Sequence, residues 1–114
     1  MDAVFFETSV FNRLRPDYFD EEAYRALKLA LMANPTMDDL MPRTGGFRKL
    51  RWPDLRRGKG KRGGLRVIYY WLLSDGQFWM FSIYDKNELE NLTSDQERQL
   101  KGAIHSELKK RGMQ

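Results

Sequence analysis

The sequence predicts an α+β domain: a small, mostly antiparallel sheet with helices N-terminal to it and one helix at its C-terminal end. Three observations carry that prediction. An apolar, β-prone run extends unbroken from Val67 to Leu73, the length of a buried strand and far below the roughly 18 residues a membrane span requires. The turn triplet Ser74-Asp75-Gly76 joins this run to a second β-prone stretch, which sets two strands antiparallel. Helical periodicity is confined to the segments before Pro35 and after Thr93.

Ala3 to Phe6 is apolar and suits a first strand, after which Thr8 or Ser9 caps a brief helix over Val10 to Leu14 that Pro16 ends. Asp20 caps a second helix, where Glu21 and Glu22 complement the helix dipole in the first turn. Tyr24, Leu27 and Leu31, with Ala23 and Ala30 beside them, form its apolar face, and Asn34-Pro35 stops it. Beyond a loop holding Pro42 and Gly45-Gly46, Phe47 to Trp52 alternates as a strand that carries charge on both faces and ends at Pro53. Arg48, Leu50 and Trp52 share one of those faces; Phe47, Lys49 and Arg51 share the other.

Arg56 to Gly64 is a glycine-punctuated basic loop. Leu65 to Leu73 is apolar on both faces except at Arg66, which places it in the middle of the sheet, and Gln77 to Tyr84 returns beside it. Asp85 to Leu92 is polar and includes a helical turn. Thr93 with Gln96, or Ser94 with Glu97, offers a capping box for the last helix, whose buried stripe is Leu100, Ala103, Ile104 and Leu108 and which Gly112 terminates. All the helices are expected on one face of the sheet. With no internal repeat and no linker, residues 1–114 read as one domain.

Charge is concentrated in one place. Between Arg43 and Arg66 lie ten of the twenty Lys and Arg residues and a single acid, Asp54, a net +9 in a chain whose overall charge is +4. A patch of this density most often meets phosphate. The absence of cysteine removes disulfides, zinc fingers and thiol catalysis. One histidine, His105, and one adjacent carboxylate pair, Asp38-Asp39, supply neither a metal site nor a nucleophilic triad, so no cofactor is expected, and His105 reads as an ordinary helix residue. Gly58-Lys-Gly-Lys-Arg-Gly-Gly64 lacks the spacing of a phosphate-cradling nucleotide loop and precedes a strand instead of a helix. Met1-Asp2-Ala3 carries no positive leader, and a cytoplasmic, membrane-free location is the expectation.

What remains is chemistry done by cations. Cleaving RNA without a metal requires deprotonating a 2′-hydroxyl, stabilising the extra charge on five-coordinate phosphorus, and protonating the leaving 5′-oxygen. A lysine crowded by cations loses part of its charge and becomes available as a base, whereas arginine stays protonated and suits charge stabilisation. Lys59 and Lys61 lie in the loop, and Arg66 projects from the first turn of the central strand. A hairpin turning at Ser74 to Gly76 sets residue 66 opposite residue 84, which brings Lys86 to the same rim of the sheet. The competing reading is a solvated loop that holds phosphate without chemistry. Trp52, Tyr69, Tyr70, Trp71 and Trp79 read as strand core before they read as base-stacking platforms.

At these residues the chain resembles the RelE/ParE superfamily of type II toxins, and within it the HigB-like RelE branch. The likeness rests on Thr44-Gly-Gly-Phe-Arg-Lys-Leu-Arg-Trp52, on Gly58-Lys-Gly-Lys-Arg-Gly-Gly-Leu-Arg-Val-Ile-Tyr-Tyr70, and on Ile83-Tyr-Asp-Lys-Asn-Glu88 followed by Leu92-Thr93. The resemblance implies a small antiparallel sheet with N-terminal helices and a C-terminal helix. It implies a ribosome-dependent mRNA endonuclease that cuts codons in the A site of the small subunit, leaves a 2′,3′-cyclic phosphate or 3′-phosphate, and is silenced by a cognate antitoxin protein. Arg66 then stabilises the transition state, Lys59 and Lys61 fall among the loop lysines that act as base and phosphate contacts, and Lys86 begins the basic pair after the last strand, with Asn87 in second place. Arg48, Arg57 and Arg62 would anchor RNA. The tyrosine that follows this pair in the best-known RelE enzymes has no match, because Leu92 and Thr93 occupy that stretch and Tyr84 comes too early. Two rivals stand beside this reading: a gyrase poison of the ParE kind, whose members typically lack the cationic cluster, and a catalytically silent RNA-binding module.

Overall fold

The computed structural model describes residues 3–54, 64–72, 74, 76–85 and 93–110. Along the chain come β1 (Val4–Glu7), α1 (Ser9–Tyr18), α2 (Glu21–Ala33), β2 (Asp39–Leu40), β3 (Phe47–Trp52), β4 (Leu65–Leu72), β5 (Gln77–Asp85) and α3 (Ser94–Lys110). The strands form one five-stranded sheet in the order β1-β5-β4-β3-β2. β4 is central, as its apolar faces require, and pairs antiparallel with β3 and β5. The fold is α+β with helices before and after the central hairpin.

The hairpin closes from Leu72↔Gln77 to Leu65↔Asp85, with a register shift between Ile68 and Tyr69. Gly76 has φ +61°, the left-handed conformation that the turn needs and that glycine adopts without strain. β1 pairs parallel with β5 in register Val4↔Gln77 to Glu7↔Met80, so the sheet is mixed, not wholly antiparallel. The short strand β2, which no sequence pattern announced, pairs antiparallel with β3 at Asp39↔Lys49 and Leu40↔Arg48.

Alternation along β4 divides the core in two. Leu65, Val67 and Tyr69 pack with Phe11 of α1 and with Tyr24, Leu27 and Leu31 of α2. Ile68 and Leu72 point the other way and pack with Phe47, Trp79 and Ile104 of α3. The expectation that all helices share one face is therefore corrected. A strand apolar on both faces leaves hydrocarbon in water unless both are covered, at about 1.5–3 kcal/mol for each large side chain, so α1 and α2 take one face and α3 the other.

Two helix details also differ from the sequence reading. α1 runs through Pro16 to Tyr18, with the Phe19 N–H closing the helix on the Arg15 carbonyl. Proline forgoes one bond, to the carbonyl of Asn12, and both residues lie on the exposed side, where water can take that carbonyl. In α3, Ala103 is exposed and Glu97 is buried, so the stripe is Glu97, Leu100, Ile104 and Leu108. Among the described residues no helix is long and apolar enough to cross a membrane. The basic loop from residue 55 to 63, the segment 86–92 and Gly112 lie outside the described residues.

Candidate anion site at the head of the central strand

Arg66 is the second residue of β4 and only 6% exposed. Its Nη1 donates to the carbonyl of Leu65 at 3.1 Å, which turns the guanidinium back along its own backbone. Register places Arg51 of β3 on one side of it and Tyr84 of β5 on the other. Directly opposed residues share a face with Cβ atoms about 4.5–5.5 Å apart, so Tyr84, Arg66 and Arg51 form a row across three strands. Alternation with Ile68 puts that row on the side that α3 covers.

The row ends in an acid. Asp38, held at φ +64°, accepts the Arg51 backbone N–H at 2.9 Å and two guanidinium bonds, from Nε at 3.0 Å and Nη2 at 2.7 Å. Those bonds raise the Arg51 pKa, with the Asp38 charge adding to them. At the other end, the Tyr84 hydroxyl is buried with no hydrogen-bond partner among the described residues. Burial pushes its pKa up and the Arg66 guanidinium pulls the other way, with a net rise, so the phenol is a proton donor at neutral pH. Asp54 and Asp85 are fully buried at this same end of the sheet, Asp85 paired in register with Leu65.

α3 runs antiparallel to β5. Gln96, Gln99 and Leu100 border a cavity of about 330 Å³ with Ile68 and Ser82, while Ala103 and Glu107 border one of about 250 Å³ with Phe6 and Trp79. The first turn of α3 therefore lies toward the Tyr84 end of the sheet. Its cap is Thr93, whose hydroxyl accepts the Gln96 N–H at 3.1 Å while Gln96 Oε1 accepts the Thr93 N–H at 2.8 Å. Thr93 is thus a helix cap.

Several cations of the basic window hold the protein together. Arg48 donates from Nη1 to the carbonyls of Thr36 at 3.0 Å and Asp38 at 3.2 Å. It pairs with Tyr69, which points to the α1–α2 side, so Arg48 and Arg66 sit on opposite faces. Arg43 pairs with buried Glu97 of α3, Nη2 to Oε1 at 3.2 Å. The Thr44-Gly45-Gly46 signature is a turn: Thr44 Oγ1 donates to the Met41 carbonyl at 2.8 Å and accepts the Phe47 N–H at 3.1 Å.

Of the predicted site residues, Arg66 and Arg48 are thus placed, and Lys59, Lys61, Lys86, Arg57, Arg62 and Asn87 lie outside the described residues. The sequence reading assigned none of Tyr84, Asp54, Asp85 and Glu97 to the site, although it named Asp54 as the lone acid of the basic window and Glu97 as a possible capping partner. The hairpin count that set 66 against 84 already contained the signal for Tyr84; the burial of the three acids had none. Among the described residues no three His, Asp or Glu side chains gather as a metal site, and His105 is exposed on α3. No known protein family's sequence profile matches the chain.

Proposed function

We propose that the protein is a RelE-like toxin of a type II toxin–antitoxin pair, an endoribonuclease that cuts messenger RNA in the ribosomal A site without a metal. The observation that carries this reading is Arg66: a guanidinium held on the central strand, with a protonated phenol and a second arginine beside it in register. In sequence the basic loop bearing Lys59 and Lys61 leads into this strand, and Lys86 follows the strand that carries Tyr84. A fixed guanidinium stabilises the extra negative charge of a five-coordinate phosphorane. Lysines crowded by like charge supply the proton transfers. Arg57, Arg62 and Asn87 are assigned to message or ribosomal RNA, and a cognate antitoxin to silencing.

Replacing Arg66 by Ala tests the assignment. Loss of one preorganised charge-stabilising group lowers kcat by roughly 10²–10³-fold, so expression of the variant should no longer arrest growth. Mapping message ends after brief expression should show wild-type cuts piling up at codon boundaries. Full toxicity of the variant would remove Arg66 from the chemistry. DNA damage in place of a translation block points to the gyrase-poison reading, and growth arrest without new message ends points to a silent RNA-binding module.

A further inference from the structure

The Tyr84 hydroxyl is anomalous as core. The ring belongs there, packed among the apolar side chains of the α3 face, but its hydroxyl is sealed from water and has nothing to bond to among the described residues. A phenylalanine would fill the same space without removing a polar group from water. Buried polar groups are nearly always satisfied, and an exception at one end of a row of charged side chains calls for an explanation. Tyr84 is paired in register with Arg66, whose charge acts on the phenol, and Arg66 is paired on its other side with Arg51, whose own guanidinium is held by Asp38. A neutral donor and a cation on one face, with no acceptor for the donor among the described residues, are complementary to an oxyanion.

We propose that Tyr84 is a phosphate ligand: its hydroxyl donates to a non-bridging oxygen of the anion that Arg66 holds. This deepens the nuclease reading by adding a group that contacts the phosphate, and it rests on that reading only for the identity of the phosphate as a phosphodiester. Burial supports the role, because the phenol stays protonated across the neutral range and remains a donor. Arg66 is 6% exposed and Tyr84 8%, so an entering anion must displace the side chains that cover them. Shielding then works in favour of the bound state, since a charge-assisted bond out of water is stronger than one in it.

The substitution Tyr84→Phe removes the hydroxyl and keeps the ring. The expected result has two parts. The variant melts at or above the wild-type temperature, because an unpaired buried hydroxyl is gone. It also binds inorganic phosphate, followed by ³¹P NMR titration, roughly 10- to 100-fold more weakly, the factor that a hydrogen bond to a charged group carries. Equal phosphate affinity in the two proteins overturns the proposal, as does the absence of saturable phosphate binding by the wild type. A melting temperature lowered by several degrees overturns it too, because it makes the hydroxyl structural. Cleavage on ribosomes separates this idea from the reading beneath it. If R66A stops cleavage and Y84F leaves it intact, the Tyr84 assignment falls and the nuclease stands. If the wild type cuts no message yet binds phosphate in a Tyr84-dependent way, the nuclease falls and the ligand stands.

Discussion

At Gly46 the backbone has φ +122°, and a Cβ built there would lie 2.9 Å from Cε2 of Tyr70. That ring has little room to retreat, since it packs edge-on to Phe47 at 5.4 Å and tilted against Trp79 at 5.9 Å. Gly46→Ala should therefore destabilise by about 1–3 kcal/mol through strain and displacement together, read as a lower urea midpoint with unchanged slope. A loss below about 0.5 kcal/mol, the range of an ordinary surface change, would mean that the turn yields. The same signature contains Thr44, fully buried, bonded at both ends of its hydroxyl. Thr44→Val leaves the Phe47 N–H and the Met41 carbonyl without that partner, and the expected loss is again about 1–3 kcal/mol. The cations follow a related logic. Positive charge between Arg43 and Arg66 is visible in the sequence, but its use is not: Arg43, Arg48 and Arg51 turn toward Glu97, toward the Thr36 and Asp38 carbonyls, and toward the Asp38 carboxylate. Those partners come from a loop and a helix that only the folded chain brings close.

At the scale of elements, each helix start rests on one side chain, and the two N-terminal caps are not equivalent. Asp20 accepts the Ala23 N–H at 2.7 Å on the protein surface. Thr8 accepts the Phe11 N–H at 3.1 Å and also donates to the Phe81 carbonyl at 2.8 Å, so it begins α1 and ties it to β5. Removing an exposed cap costs about 1 kcal/mol, whereas Thr8→Ala also strands a strand carbonyl and should cost about 2 kcal/mol. Parallel urea titrations of D20A and T8A check the order, and an equal loss would mean that the Phe81 contact contributes nothing. Caps, turns and periodicity are local, which is why the hairpin, α2, β3 and the Thr93 capping box were legible in the sequence. The parallel pairing of β1 joins residues more than seventy positions apart, and the two-residue β2 is too short to carry a pattern. Placement of α3 was different, because the apolar character of both faces of β4 already required cover on both sides. Arg66 was legible as the one charged residue in that strand, and Tyr84 became meaningful only when its hydroxyl proved to have no partner among the described residues.

At the scale of the whole molecule, β1 is an edge strand held by one neighbour, and its junction with the helical layer centres on Glu7. The carboxylate accepts the Tyr24 hydroxyl of α2 at 2.5 Å and the Asn12 amide of α1 at 2.8 Å, with Arg15 Nε at 3.6 Å. Lys28 Nζ lies 4.7 Å from the Tyr24 ring centroid and 5.9 Å from that of Phe5, so the same cluster reaches back to β1. Burial alone would raise the Glu7 pKa, but the bonds from Tyr24 and Asn12 and the charges of Arg15 and Lys28 outweigh it, and the net shift is downward from 4.5. A carboxylate whose folded pKa is depressed stabilises the protein fully above its unfolded pKa and loses that contribution as pH falls through the folded value. Thermal melting between pH 7 and pH 3 should therefore show wild-type stability level at the upper end and falling below about pH 4.5. Glu7→Gln keeps an acceptor for Tyr24 but cannot titrate, so it should start less stable at pH 7 and fall less steeply, the two curves converging toward acid. Parallel curves would show that the junction does not depend on the Glu7 charge, and that β1 is held to the helices by apolar packing alone, with the Phe5–Phe78 stack tying it to β5.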